Sequence, residues 1–257
     1  MRFFIGLVLA LALGVMGCGD GERAGGSAGD GGVGGVGGHG GAAGDSGATF
    51  SYSVITSSTG DGAGLLEELR TSTLPALEEA GAVVYALWGP AAEQDERFSE
   101  ISEDKIVVML SWAQVDAELL TTELEALAGA SEVDTSLWEA SLRGDEPLPT
   151  GEGFYIHRFN RYQTEDVDQV LSLTERAWVT WEPFWEAKPI AVWRDLEEEG
   201  GLAHLLRIAW YRDLQHWDDT RDAAREPVSA LLFIERRALE VVELDNRVGW
   251  SASLLER

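Results

Sequence analysis

The 257-residue sequence predicts an α+β fold in which two similar units follow one another along the chain. The stretch from Phe154 to Ala224 has the order of a strand, a long helix, two strands and a short helix. An earlier stretch, Phe50 to Leu127, repeats this order at a period of about 100 residues, which is too long for a solenoid repeat. Leu142 to Gly153, rich in glycine and proline, joins the two stretches. We interpret the chain as a divergent duplication of one βαββα unit; the alternative is a coincidental similarity.

The second unit shows the pattern more clearly. Aromatic residues predict a strand over Phe154–Tyr162, and Thr164 is an N-cap candidate for the helix that follows. Apolar residues at three- and four-residue intervals predict this helix, which Pro183 should end: Val167, Val170, Leu171, Trp178, Trp181 and Trp185. The remaining elements are two strands and a short helix: Pro189–Trp193, Ala203–Tyr211 and Asp213–Ala224.

The first unit matches it element by element. Its strands are predicted at Phe50–Thr56, Ala82–Trp88 and Lys105–Trp112. Its helix is marked by four leucines, with Pro75 near its end: Leu65, Leu66, Leu69 and Leu77. The alignment pairs Phe50 with Phe154, Trp88 with Trp193, and Trp112 with Trp210, at offsets of 104, 105 and 98 residues.

Three further segments lie outside the repeated pattern. Ser131–Ser141 carries Val133, Leu137 and Trp138 and is predicted to be a helix or a helical turn. Pro227–Leu244 is strongly apolar, and its periodicity leaves a strand and a helix equally open. Val248–Arg257 is interpreted as an amphipathic tail.

Two βαββα units favour a ferredoxin-like arrangement in which each small antiparallel sheet carries helices on one face. The other face of each sheet is apolar and must be covered, so the two sheets should close into one barrel-like core. The order of elements, the aromatic opening strands, and Trp193 and Trp210 near strand ends resemble the dimeric α/β-barrel superfamily. Its NIPSNAP-type and antibiotic-biosynthesis-monooxygenase-like domains are the most similar. The resemblance implies an intramolecular pseudo-dimer, and hence a monomer.

The N-terminus predicts lipid anchoring. A basic start and an apolar run resemble a signal peptide over residues 1–18, and Val15-Met16-Gly17-Cys18 resembles a bacterial lipobox. We expect lipidation of Cys18, the single cysteine; the alternative is an ordinary secreted protein with an unmodified thiol. Residues 19–48 hold half of the 30 glycines and predict a flexible tether, followed by repeats over 49–145 and 152–257. The expected location is the bacterial cell envelope, at the outer membrane or cell surface, with membrane contact through the lipid.

The formal net charge of −26 excludes the nucleic-acid-binding class, because phosphate binding needs clustered lysine and arginine. The same charge argues against docking of the protein surface on anionic lipid.

Polar residues on the strands of the second unit are the catalytic candidates: Tyr155, His157, Arg158 and His204. A histidine facing the space between the sheets could carry protons or ligate haem iron; the alternative is a buried histidine with satisfied hydrogen bonds. Haem-degrading relatives of this fold use Asn, His and Trp, and the sequence has Asn160 and His157 without a spacing that maps onto that set. The Gly-x-x-Asp-Gly signature of the haem peroxidase branch is absent, so we predict no cofactor.

His216 lies beside two acids, and we interpret it as part of a solvated helix face rather than a metal site.

Seven of the 10 tryptophans lie between Trp178 and Trp250; most should be core, and a minority could line a pocket for an apolar ligand between the sheets. No nucleophile motif, phosphate loop or nucleotide fingerprint occurs. We therefore expect a non-catalytic module that binds a small apolar ligand or a protein; the alternative is a monooxygenase-like enzyme of the same superfamily.

Overall fold

A computed structural model describes residues 47–90, 103–144, 148, 152–197 and 200–241, and the backbone of residues 246–251. The expected signal peptide, the lipidated Cys18 and all but the last residues of the tether lie outside the described residues. None of the described helices is long and apolar enough to cross a membrane.

Each half of the described chain has four strands. The first half contains β1 (Thr49–Ser57), α1 (Gly62–Glu68), α2 (Leu74–Glu79), β2 (Ala82–Pro90), β3 (Lys105–Trp112), α3 (Ala117–Glu125) and β4 (Ala130–Leu142). The second half contains β5 (Phe154–Gln163), α4 (Val167–Trp185), β6 (Lys188–Asp195), β7 (Leu202–Tyr211), α5 (Leu214–Asp219), α6 (Pro227–Arg237) and β8 (Asn246–Ser251).

The eight strands form one closed antiparallel barrel in the order β1-β3-β2-β8-β5-β7-β6-β4. Each half supplies four neighbouring strands, β4-β1-β3-β2 and β8-β5-β7-β6, which is the same order in both halves. The sheets meet at two seams, where β4 pairs with β6 and β2 pairs with β8. The expected α+β fold and the closure of two sheets into one barrel are confirmed.

The fourth strand of each half was missed by the sequence prediction. Ser131–Ser141 is not helical; it belongs to β4, which pairs with β1 along its length and with β6 at its end. Its exposed polar residues, such as Glu132 and Asp134, obscured the alternation that marks a strand. The predicted tail at Val248–Arg257 likewise begins inside a strand, β8, which pairs with β5. Each unit is therefore βαββαβ.

The ambiguous segment Pro227–Leu244 contains a helix, α6. Pro227 occupies its first turn, where a missing N–H is tolerated, and the side chain of Glu226 accepts a hydrogen bond from the backbone N–H of Ser229. The preceding helix, α5, ends at Asp219 and is shorter than the predicted Asp213–Ala224.

Pro75 lies inside the helical region of the first half rather than near its end. It is the second residue of α2, which begins at Leu74, and a π-helical turn at Leu69–Thr73 connects α1 to α2. Because proline has no N–H, it removes one α-helical hydrogen bond, and the wider turn directly precedes it. Pro183, in contrast, does lie in the last turn of α4, which ends at Trp185.

The strand register corrects the alignment of the two halves by one residue in the first strand. Phe50 packs inside the barrel, whereas Phe154 packs on the outer sheet face. The inward-facing counterpart of Phe50 is Tyr155, 105 residues later, and this offset equals that between Trp88 and Trp193. A one-residue shift matters because it moves every side chain of a strand to the other face.

The same correction applies to the third strand. Trp112 and Tyr211 both pack on the outer face, whereas Trp210 packs against the barrel interior. Trp112 therefore corresponds to Tyr211 at an offset of 99 residues, not to Trp210 at 98. With this offset, Val108 of β3 and Arg207 of β7 hold equivalent positions.

The described residues form three apolar cores. One fills the barrel interior with residues from both halves and includes Trp88, Tyr155 and Trp193. The other two lie between a sheet and its helices. The core of the first half is largely leucine, isoleucine and valine, and that of the second half contains four buried tryptophans.

Candidate functional site

The barrel interior contains two of the four catalytic candidates, Tyr155 and His157, both fully buried. The ring centroid of Tyr155 lies 6.0 Å from that of Trp88 in an edge-to-face contact. Burial raises the pKa of the Tyr155 phenol to about 12. The phenol is therefore protonated under physiological conditions.

His157 is enclosed by aromatic rings. Its Nδ1 forms a hydrogen bond of 2.8 Å with the hydroxyl of Tyr52, and the ring centroid of Trp88 lies 4.6 Å from the imidazole. Burial lowers the pKa of His157 to about 3, so the imidazole is neutral at physiological pH. Tyr52 and His157 are 105 residues apart and hold equivalent positions in the two halves, so this contact joins the halves inside the barrel.

The other two candidates lie elsewhere. His204 Nδ1 lies 3.7 Å from a carboxylate oxygen of Asp195, with 26% of its side chain exposed. Arg158 follows His157 directly in β5, so its side chain lies on the opposite face of the sheet, under the helices. The structure therefore brings Tyr155 and His157 together and separates both from Arg158.

Arg158 lines a cavity of about 220 Å³ in the second half. The cavity lies between the outer face of strands β5 and β7 and the helices α4, α5 and α6, and not between the two sheets as expected. Ser229, Phe233 and Arg236 contribute to its wall from α6. This surface is where the second half departs most from the first.

Helix α6 exists because the second half is longer between its third and fourth strands. The partner of Phe50 in β4 is Trp138, and the partner of Tyr155 in β8 is Trp250, 112 residues later. The offset is 99 residues in the third strand, so the second half has 13 additional residues here. These residues accommodate α6, which packs against α4.

Aromatic rings form much of the cavity wall. Trp181 of α4 makes edge-to-face contacts with Tyr211 at 5.9 Å and with Phe233 at 6.2 Å between ring centroids. Three more tryptophans line the cavity, two from α4 and one from α5: Trp178, Trp185 and Trp217. The tryptophan-rich stripe predicted for α4 therefore covers the cavity as well as the core.

Five of the chain's 19 lysine and arginine residues line this cavity: Arg158, Arg207, Arg221, Arg236 and Arg237. The backbone register places Arg158 directly opposite Arg207, in an arrangement that is unfavourable for like charges. Arg207 is 9% exposed and Arg236 is 5% exposed. Burial, together with the positive charges of Arg207 and Arg158, lowers the pKa of Arg236 to about 9.

Three acids of the described cavity wall accept hydrogen bonds from neighbouring groups, and the charge of one of them, Glu240, also acts on Arg236. Glu226 accepts hydrogen bonds from the backbone N–H and the hydroxyl of Ser229 at the start of α6. Glu240 accepts a hydrogen bond of 3.4 Å from the Tyr162 hydroxyl, and Asp222 accepts one from the backbone N–H of Ala224. With three acids and five arginines, the described lining residues carry a formal charge of +2 in a chain of net charge −26.

His216 is buried, with 4% of the residue exposed, and does not lie on a solvated helix face as predicted. Its Nε2 lies 2.6 Å from the carbonyl oxygen of Trp185, and its Nδ1 accepts a hydrogen bond from the backbone N–H of Arg212. Both ring nitrogens therefore have partners, and they fasten α5 to the end of α4. Over the described residues, no group of three or more His, Cys, Asp or Glu side chains could hold a metal ion.

Haem does not fit these residues. His157 lies in the barrel interior and Asn160 on the opposite face of β5, where it accepts a hydrogen bond from Arg207, so the two cannot converge on one group. None of the described lining residues is a histidine, cysteine or methionine. Burial raises the pKa of the Tyr211 phenol, which stays protonated and is a poor ligand for iron.

The sequence reasoning missed Arg207 and Arg236. The available signal was a charged residue inside an apolar strand, Leu205-Leu206-Arg207-Ile208, at a position that alternation assigns to the helix-covered face. Arg236 could not be found in the same way, because Pro227–Leu244 had no assigned secondary structure.

Several crystal structures have the same fold. An anthrone oxidase-like protein superposes with a TM-score of 0.54 at 11% identity, over 82% of this chain and 93% of that one. A presumed monooxygenase from Lactobacillus acidophilus NCFM superposes with a TM-score of 0.52 at 7% identity, over 80% of this chain and 92% of that one. Chlorite dismutase from Candidatus Nitrospira defluvii, in complex with imidazole, superposes with a TM-score of 0.50 at 8% identity, over 81% of this chain and 92% of that one.

No protein-family model matches the sequence, and no curated protein is significantly similar to it. At the identities of these structures, the likeness shows the fold alone. The chain has the dimeric α/β-barrel fold, with both ferredoxin-like sheets supplied by a single chain.

Proposed function

We propose that this protein is a binding module for a small molecule with an aromatic or apolar body. The cavity under α4, α5 and α6 carries this proposal, because it combines about 220 Å³ of space with a wall of aromatic rings. An engineered cavity of about 150 Å³ in another protein binds benzene. A ligand with one ring and a short substituent therefore matches the space here.

The wall favours binding over chemistry. Glu226 is the most buried acid of the wall, at 7% exposure, and it serves as the N-cap of α6. The described lining residues include no histidine or cysteine that could act as a base or a nucleophile. Aromatic rings and arginines are the groups that recognise ligands in such sites.

Filling the cavity tests this proposal. We expect Ala230→Phe, in the cavity wall on α6, to abolish binding of benzoate and benzyl alcohol to the full chain, measured by titration calorimetry. Ala238→Phe, on an exposed residue at the end of the same helix, is the matched control and should bind like the wild type. Failure of every probe to bind the wild type, or equal binding by Ala230→Phe, would contradict the proposal.

The second candidate is a monooxygenase-like enzyme. Two structures with this fold, a presumed monooxygenase and an anthrone oxidase-like protein, favour this candidate. Of the two kinds of domain that the sequence resembles, they favour the monooxygenase-like over the NIPSNAP-type. Oxygen consumption by the full chain with anthrone is the measurement. We expect no turnover; turnover that is lost in Arg158→Met, the one catalytic candidate in the cavity wall, would favour the enzyme.

The envelope location belongs to the same proposal. We expect the chain to be a monomer, tethered by lipid on Cys18 and the glycine-rich segment that follows, so that the module lies close to a membrane. Labelled palmitate should be incorporated into the full chain during expression in a bacterium and should be absent from Cys18→Ser. Label that persists in Cys18→Ser would contradict the assignment.

A further inference from the structure

Arg207 and Arg236 present buried positive charge to the cavity without a described carboxylate in ion-pair contact. Across residues 47–241 as far as the structure describes them, no carboxylate oxygen lies within 4.0 Å of either guanidinium group. Arg207 Nη2 donates a hydrogen bond of 3.4 Å to Asn160 Oδ1, and Arg236 Nη1 donates one of 3.4 Å to Thr174 Oγ1. Arg236 Nε has no acceptor among the described residues.

The neighbours of the two arginines offset only part of this charge. The carboxylate of Glu240 favours the charged form of Arg236, but burial and the positive charges of Arg207 and Arg158 outweigh it and lower the pKa of Arg236. The guanidinium of Arg236 lies 5.0 Å from the ring of Phe233, which is a favourable but uncharged contact. Burial raises the pKa values of the Tyr162 and Tyr211 phenols, so both remain neutral. Fully buried arginine is rare unless it is paired, because a desolvated charge without a partner is strongly unfavourable.

The first half shows that the fold does not require these charges. The position of Arg207 is occupied there by Val108, and that of Arg158 by Ser53, which pair with each other in the same register. The first half forms its own core at these positions with apolar and small polar side chains. The arginines of the second half therefore serve something other than the architecture.

We infer that the cavity binds a single-ring aromatic carboxylate, with the carboxylate group held between Arg207 and Arg236. The planar guanidinium fork matches a carboxylate and supplies the missing negative charge. The ring of the ligand packs among Trp181, Tyr211 and Phe233, whose mutual edge-to-face contacts define an aromatic wall. This inference rests on the proposed small-molecule binding and specifies the chemical class of the ligand.

The test compares three probes of one size on the full chain: benzoate, neutral benzamide and cationic benzylamine. In calorimetric titrations we expect benzoate to bind at least tenfold more tightly than benzamide, and benzylamine not to bind. Arg207→Val, which installs the residue of the first half, and Arg236→Met should each weaken benzoate binding at least tenfold. Arg212→Met, at a side chain that is 62% exposed, is the matched control and should leave binding unchanged.

A second readout separates ligand recognition from a structural role. Without ligand, Arg207→Val and Arg236→Met should melt at the same temperature as the wild type or higher, because each removes an uncompensated buried charge. A clear fall in Tm for both variants would show that the arginines hold the fold together and would overturn the inference.

The outcomes distinguish this inference from the proposed function. Equal binding of benzoate and benzamide, both abolished by Ala230→Phe, would overturn the carboxylate assignment and leave a binding module for neutral ligands. Absence of binding for all three probes and for benzyl alcohol would overturn both.

Discussion

In the first half, helices α1, α2 and α3 cover the outer sheet face with a closely packed core that includes Leu77, Val108 and Leu110, each fully buried. In the second half, the equivalent face encloses a cavity. The position of Val108 is held there by Arg207. The strand order is the same in both halves. The difference is the basis of our proposal that one half preserves the architecture while the other carries a binding site.

The strongest way to break this comparison is to move the charge into the closely packed half. Val108→Arg should destabilise the protein by about 4 kcal/mol or more, because it places a guanidinium among the buried apolar side chains between the first sheet and its helices. Denaturant unfolding measures the change, and the reciprocal Arg207→Val is the matched control. A loss below about 1 kcal/mol would mean that both faces tolerate arginine equally and that the asymmetry carries no functional meaning.

The next largest effect is expected from removing apolar volume at the position where the halves differ in size. Leu110 of β3 corresponds to Ala209 of β7, which lines the cavity. Leu110→Ala should cost about 2–5 kcal/mol, because it removes apolar volume from a fully buried position and leaves a cavity. Thermal and denaturant unfolding should agree, and a value near zero would show that the first half is as loosely packed as the second.

A third prediction uses the barrel interior, where Tyr52 of the first half corresponds to His157 of the second. The pKa of His157 is about 3 in the folded state and 6.5 in the unfolded state, so protons bind preferentially to the unfolded chain as the pH falls. The stability of the folded state is therefore unaffected by this group above pH 6.5 and falls between pH 6.5 and pH 3. The loss in the free energy of unfolding is about 2 kcal/mol at pH 5.

The non-titrating variant His157→Gln should lack this part of the acid sensitivity. Urea unfolding at pH 7 and pH 5 is the measurement, with His204→Gln as a control that also removes one histidine but retains the effect of His157. The same slope of stability against pH in wild type and His157→Gln would contradict the assignment of a neutral, buried imidazole.

The smallest change in stability is expected for a substitution that points into the cavity of the second half. Ala209→Leu installs the side chain of the first half in the cavity wall and should change the free energy of unfolding by less than about 1 kcal/mol. The same variant should lose benzoate binding. Destabilisation as large as that of Leu110→Ala would mean that the space beside Ala209 cannot accept a side chain.

The sequence predicted the parts of the fold that periodicity and apolar patterning determine. The aromatic strand at Phe154, the helix up to Trp185 and the tandem repeat all appear in the structure. The fourth strands did not, because β4 owes its conformation to pairing with β1 and β6 and not to its own half-polar sequence. Long-range pairing of this kind leaves little signal in a single strand.

The candidate site was harder to predict than the fold. Tyr155, His157 and His204 were candidates because a polar residue on a strand was assumed to face a site between the sheets, yet that space is a packed aromatic core. Arg158 alone lies in the cavity wall. The cavity depends on α6, which is accommodated by 13 additional residues in the second half. This length difference could not be read from the sequence, because the alignment was wrong by one residue and the segment after Pro227 had no assigned secondary structure.

The central claim is that the second half holds an aromatic carboxylate between Arg207 and Arg236. Crystals of the full chain grown with 4-iodobenzoate test it most directly, because the anomalous signal of iodine locates the ring without bias. We expect one strong peak inside the cavity beside Trp181, with the carboxylate density directed to the two arginines. A peak in the barrel interior or on the surface, with the cavity empty, would contradict it.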